Sequence, residues 1–301
     1  MRWLTDKMVH LQYQRGPNAY GIGIDDAYFV VNVMITLTFF RSFVMQLILN
    51  PMAEEWFHIR SKKAKVRFAE QGWCLIYYSF LFIYGLVLYW NAPYRHNIDY
   101  IYIGWPHTSM TYWFKAYYLI AIGFWLLMIF VLWVEEKRHD HYQMFCHHII
   151  TSNLIIGSYY YYFTSIGHPI LMIMDSVDVL LCTAKLLKYC GFSKLCDAMF
   201  VIFMMGWIIL RHGVYNYLFY HAWTKSVYLM KDGECKPGEN QERCWTMTVI
   251  WVFLALLASL QAITMVWMYS IAKVAYRVIT GNGAEDVRSD EDDTDSDKKT
   301  L

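Results

Sequence analysis

Seven stretches of this 301-residue chain are long and almost purely apolar: Ala27–Leu49, Trp73–Trp90, Tyr112–Val134, Met144–Thr164, Pro169–Tyr189, Asp197–Tyr220 and Met247–Ala272. Each is about 18–26 residues, the length a helix needs to cross ~30 Å of hydrocarbon. Most are apolar all round, as membrane helices are. Composition agrees, with 57% hydrophobic residues and only 17% charged. That profile is too apolar for an ordinary soluble domain and far from that of a disordered chain. The expected fold is an all-α polytopic membrane protein with seven transmembrane helices. Residues 1–26 read as a polar N-terminal segment, 27–276 as the transmembrane domain and 277–301 as an acidic tail. No apolar core lies near the start, so the first span is expected to act as the insertion signal.

The net charge of +1 hides an asymmetry. Glu285–Leu301 carries eight acids against three bases, net −5, which leaves about +6 on the rest of the chain. Six charges over that length make no strong basic field, and nucleic acid is not an expected partner. The bases also sort by side. Arg60, Lys62, Lys63, Lys65 and Arg67 follow the first span, Lys137 and Arg138 the third, and Lys185, Lys188 and Lys194 flank the connection after the fifth. The opposite loops hold Arg95, none, and four bases in turn. An excess of Lys and Arg marks the cytosolic side, so the C-terminus is expected there and residues 1–26 in the lumen.

The tail fits that orientation. Its end, "DKKTL", puts Lys298 and Lys299 where a dilysine signal for return to the endoplasmic reticulum would be read by a cytosolic receptor. Ser289, Thr294 and Ser296 lie among carboxylates and are candidate sites for an acid-directed kinase. Cys235 and Cys244 flank "KPGENQER" in a loop expected to be lumenal, hence oxidising, and are disulfide candidates. Cys74, Cys146, Cys182, Cys190 and Cys196 lie in or beside spans, as packing residues do.

Ionisable groups inside the apolar runs are few and costly, about 2.5–3.5 kcal/mol each at a helix centre, so they are expected to face an interior and pair. Those that stand out are His147 and His148 near the start of the fourth run, Asp175 and Asp178 in the fifth, and Arg211 and His212 in the sixth. Helical spacing crowds His147, His148 and Thr151 onto one side of their helix and projects Asp175 and Asp178 together from the next. The "SIGH" connection, with Pro169 as a helix-opening residue, makes those two helices antiparallel neighbours. Two imidazoles facing two carboxylates suit general-base or nucleophilic chemistry. The same four groups could ligate a metal or simply hold helices together, with acid/base or nucleophilic chemistry ranked above a metal.

The run "HDHYQMFCHHIITSNLIIGSYYYYFTSIGHPILMIMDSVDVLLCTAKLLKY", about residues 139–189, resembles the Lag motif of ceramide synthases, inside the TLC domain. The matching residues are His147, His148, Thr151, Ser158, Tyr159, Asp175, Asp178, Ala184 and Lys185. "VRFAEQGWCLIYYS" is similar to the family's stretch entering its second span, and "YYLIAIGFWLLMIFVLWVEEKRHDH" to the helix leading to its active site. The likeness runs from roughly Tyr28 to Ala275. Many members have His where this chain has Met174 and an acid where it has Cys182; with the tail, the chain is closer to the fungal type.

The resemblance implies a TLC-type helical barrel enclosing an active site. It implies transfer of a long or very long acyl chain from acyl-CoA to the amine of a sphingoid base, forming (dihydro)ceramide. His147, His148, Asp175 and Asp178 would be catalytic; Thr151, Ser158, Tyr159, Arg211, Lys137 and Arg138 would bind substrate. No cofactor would be permanently bound, acyl-CoA being a co-substrate. Expected partners are the two substrates, membrane lipid, a second copy or paralogous subunit, and a small single-span accessory subunit. An elongase would need His-x-x-His-His, but Met144 stands three residues before His147. A non-catalytic TLC-domain lipid-binding protein is the alternative, and such relatives often lack the complete His and Asp set.

Overall fold

The computed structural model describes residues 2–135, 140–238, 241 and 243–279. Lys137, Arg138, Ser289, Thr294, Ser296, Lys298 and Lys299 lie outside the described residues.

Helix α1 (Arg2–Val9) and a small hairpin of β1 (Gln14–Gly16) and β2 (Ala19–Tyr20) precede the long helices. Those are α2 (Asp26–Trp56), α3 (Lys62–Trp90), α4 (Tyr112–Val134), α5 (His141–Tyr160), α6 (Thr164–Tyr189), α7 (Ser193–Leu229) and α8 (Met247–Ile279). Each apolar run thus becomes one helix among the described residues. Five of them, all but α5 and α6, are long and apolar enough to cross a membrane. The two that fall short carry the paired histidines and the paired aspartates. The protein is therefore a helical, multi-pass membrane protein, and the two long helices that fall short hold the candidate site.

Capping sets several starts. Ser61 and Thr111 accept the amides of Ala64 (3.4 Å) and Phe114 (3.3 Å) at the N-termini of α3 and α4. α3 therefore begins well before the apolar run at Trp73, and Lys62, Lys63 and Lys65 lie on its first turns. α2 outlasts its run and continues through Pro51, with π-helical turns at Met45–Leu49 and Met52–Trp56 on either side. A wider turn accommodates a residue that brings no N–H and crowds the preceding turn. Pro169 does not open α6 as expected. The chain reverses at Tyr161–Phe163, with Tyr162 in the left-handed region (φ 57°), and "SIGHP" falls inside α6. His168 is consequently a buried core residue, its ring nitrogens 2.7 Å from Tyr94 Oη and 3.0 Å from the Gly85 carbonyl oxygen.

Neighbours in space follow the chain only partly. α6 packs on α3 and α7, α4 on α2, α3 and α5, α5 on α6 and α8, and α7 on α8. Cys235 and Cys244 form a disulfide, with Cα atoms 4.8 Å apart, in the α7–α8 connection.

One buried ion pair was not singled out from sequence. Lys115, fully buried on the first turn of α4, lies 2.7 Å from Asp26 Oδ1 and donates to the carbonyls of Gln12 (2.8 Å) and Gly21 (2.7 Å). Asp26 also accepts from Tyr159 Oη (2.8 Å) and the Gly23 amide (3.1 Å). The ammonium thus has three oxygen partners and pins the polar N-terminal segment onto α2, α4 and α5. Lys115→Met strands the Asp26 carboxylate and is expected to cost about 3–5 kcal/mol. Heating in detergent should show earlier unfolding, and Lys115→Met with Asp26→Leu should lose much less.

Candidate active site

The histidines sit two turns into α5, deeper than the first turn expected for a span starting at Met144. The His147 ring lies edge-on between Trp125 of α4 (centroids 5.3 Å) and Trp267 of α8 (5.2 Å). His148 is buried and meets the same Trp125 at 5.3 Å. Aromatic walls on two sides fix the rotation of the His147 ring and keep water from its faces. Thr151, one turn on, holds Oγ1 3.5 Å from His147 Nδ1, a long contact that biases the ring's orientation and leaves Nε2 free to meet a substrate. Among the described residues, neither nitrogen of His148 has a hydrogen-bond partner.

The aspartates come from α6, and a third element completes the group. Residues Trp207–Val214 of α7 are wound as a π-helix, a device found often at functional sites. From this turn Arg211 donates to Asp178 Oδ1 (2.6 Å) and to the Met174 carbonyl (3.2 Å), with its guanidinium 4.3 Å from the Trp207 ring centroid. Arg211 is 4% exposed, so the carboxylate is what makes its charge tolerable there.

Two cavities meet at these residues. One, the more polar of the two, has ≈ 1600 Å³ counted to its open mouth and reaches Arg41, Arg67, Glu70, Gln71, Asp140 and Lys185. The other, of ≈ 910 Å³, is lined mainly by apolar side chains such as Leu154, Ile170, Leu254, Leu257 and Leu260. Trp125, His147, Asp178 and Arg211 line both. His148 lines the polar cavity alone, and Thr151 and Ser158 the apolar one alone.

The expected constellation is therefore assembled in part. Asp178 faces the cavities with His147, but it accepts its hydrogen bond from Arg211 rather than from an imidazole. Asp175 does not project with it. It is 1% exposed, lines neither cavity, and lies within electrostatic reach of Tyr77 and Tyr117. Three residues along a helix turn a side chain by about 60° from its neighbour, enough to move it from the cavity wall to the α3–α4 side. Tyr159, expected to bind substrate, gives its hydroxyl to Asp26 and lines neither cavity. Ser158 reaches the apolar cavity while its hydroxyl lies 3.0 Å from Tyr118 Oη. The sequence reading missed Trp125, Trp207 and Trp267. Nothing distinguishes them from other aromatics in apolar runs, since the contacts come from three different helices.

A family model described as a TLC domain matches residues 67–273, and the chain belongs to the TLC-domain family. Within that family its relatives bear one kind of name. It is 36% identical to the sphingosine N-acyltransferase lag1 of Schizosaccharomyces pombe over its whole length and 76% of that protein. It is 31% identical to ceramide synthase FUM18 of Gibberella moniliformis, over 99% of this chain and 75% of that one. With ceramide synthase LAG1 of Saccharomyces cerevisiae it shares 31% identity over 96% of this chain and 70% of that protein.

Proposed function

We propose that this protein joins a fatty acyl chain from acyl-CoA to the amine of a sphingoid base, yielding a ceramide, with His147 as the group that handles the proton or the acyl chain. The observation that carries this is the position of His147 on the wall common to a polar cavity and an apolar one. Acyl-CoA has the same division, a polar carrier and an apolar tail joined at the thioester. A thioester held at that junction puts its carbonyl beside the imidazole, with the tail in the apolar cavity. The amine attacks the carbonyl carbon, the C–N bond forms and the C–S bond breaks. His147 takes the ammonium proton and returns it to the departing thiolate. Acyl transfer first to the imidazole and then to the amine uses the same atoms. The Arg211–Asp178 pair supplies fixed charge beside the reacting carbonyl. Walls of tryptophan and leucine exclude water that would otherwise hydrolyse the thioester.

The surrounding architecture is read as seven spans forming a barrel. The sequence of contacts α3–α6–α7–α8–α5–α4 and back to α3 supports a ring of six helices around the two cavities. The bases at the start of α3 and the disulfide between α7 and α8 support a cytosolic C-terminus. The dilysine-like end favours the endoplasmic reticulum. Dimers with a like subunit and a single-span accessory subunit are carried over from the family.

Purified protein given labelled long-chain acyl-CoA and dihydrosphingosine should release ceramide; binding of both without product would leave a lipid-binding protein instead. The apolar cavity should also set acyl length. Leu254 lies on α8 about 20 Å from the turn of Trp267. Leu254→Trp should lower the ratio of very-long-chain to shorter-chain product by about tenfold or more, read in an assay where the two acyl-CoAs compete. An unchanged ratio removes the acyl tail from that cavity.

A further inference from the structure

The polar cavity contains a second feature that the proton chemistry does not use. Its charged wall groups already have partners: Arg41 pairs with Glu135, Arg67 lies 3.4 Å from Glu70, and Arg211 holds Asp178. Asp140 and Lys185 each engage another group as well. Gln71 differs. It lies on α3, only 8% exposed, and it lines this cavity. Among the described residues its carboxamide makes no hydrogen bond. A buried amide left unpaired costs free energy that a ligand able to pair with it would recover.

The chemistry of the carboxamide indicates the ligand. It offers an acceptor oxygen and an NH2 donor, so it can accept from a secondary amide's N–H or donate to its C=O, which point to opposite sides of a trans amide. A thioester substrate whose sulfur reaches His147 through the polar cavity must lead its carrier arm along these walls. In acyl-CoA that arm is pantetheine, which bears two secondary amides. A wall of paired charges would hold a neutral arm poorly, whereas a free carboxamide matches it. We infer that Gln71 is a positioning residue that pairs with an amide of the pantetheine arm and so sets where the thioester stops relative to His147. This rests on the acyltransferase reading above.

Steady-state kinetics on the full-length protein test it. Gln71→Met keeps the side chain's length and removes both donor and acceptor. The variant should raise KM for acyl-CoA about tenfold, with a much smaller change in kcat and in KM for dihydrosphingosine. Acyl-N-acetylcysteamine keeps the amide nearest the sulfur. A penalty that persists there assigns the contact to that amide, and one lost there assigns it to the distal amide. With an acyl ethyl thioester, which has no amide, the ratio of variant to wild type should return to within twofold. Three results overturn the inference: equal KM for acyl-CoA in both proteins, a raised KM for the sphingoid base instead, or an equal loss with every thioester, which marks a structural role. If wild type makes no ceramide from any thioester, the acyltransferase reading itself fails, and the two failures are told apart.

Discussion

His147→Ala is expected to lower ceramide formation by about 10³-fold, the middle of the range for losing a positioned acid–base group. His148→Ala should cost less. The difference follows from the walls each histidine lines, His147 both cavities and His148 only the polar one. An imidazole at the junction can reach an amine arriving beside the thioester carbonyl. One set back into the polar cavity can act on it only through water or through its neighbour, 5.6 Å away between ring centroids. KM for acyl-CoA should change little, because the loss is confined to the transition state. Product is followed by mass spectrometry with purified wild type, both single variants and the double variant. The double variant should match His147→Ala, since residues acting as a unit do not add. Substantial turnover in the double variant would end the reading. Protein exposed to acyl-CoA alone, then weighed intact, separates the two chemical routes. An acyl adduct on wild type that His147→Ala lacks marks an acyl-imidazole, and its absence leaves proton transfer.

Much of this was legible because membrane helices advertise themselves. Length and apolarity located every long helix, and the paired histidines and aspartates inside them stood out by cost. Helix ends were less legible. Pro51 looks like a stop and Pro169 like a start, yet α2 passes through one and α6 through the other. In each case tertiary packing holds the turn that propensity would break. Likewise the sequence placed Asp175 and Asp178 on one side of α6, but it could not say which of two adjacent faces met the cavity. A rotation of 60° decided that Asp178 lines it and Asp175 does not.

The other unreadable features share one cause, which is that they are made between helices distant in sequence. Trp125 and Trp267 clamp His147 from α4 and α8. Lys115 finds Asp26 at a separation of 89 positions along the chain, and Tyr159 is drawn to the same carboxylate. A lysine one turn into an apolar run, with an aspartate opening another, was the available signal for that pair. For Gln71 there was none: a glutamine at a span's end is ordinary until a cavity is found beside it.

Breaking the pair between α6 and α7 should have the second large effect. Asp178→Asn leaves the Arg211 guanidinium buried with its charge uncompensated, and Arg211→Met leaves the carboxylate, whose side chain is 19% exposed, without its partner. Removing one member of such a pair costs on the order of 3–5 kcal/mol, whereas replacing both by apolar groups of similar size is often neutral. Single variants should therefore unfold earlier on heating in detergent and make little ceramide, a result that alone confounds folding with chemistry. The double variant Asp178→Leu with Arg211→Met separates them. Its thermal stability should return close to wild type, because the Trp207 ring and the Met174 turn pack an aliphatic chain as readily as a guanidinium stem. Its ceramide output should stay at least about 10²-fold down, as the fixed charges beside the thioester carbonyl are gone. If output recovers together with stability, the pair only holds α6 to the π-helical turn of α7, and the chemistry belongs to His147 without it.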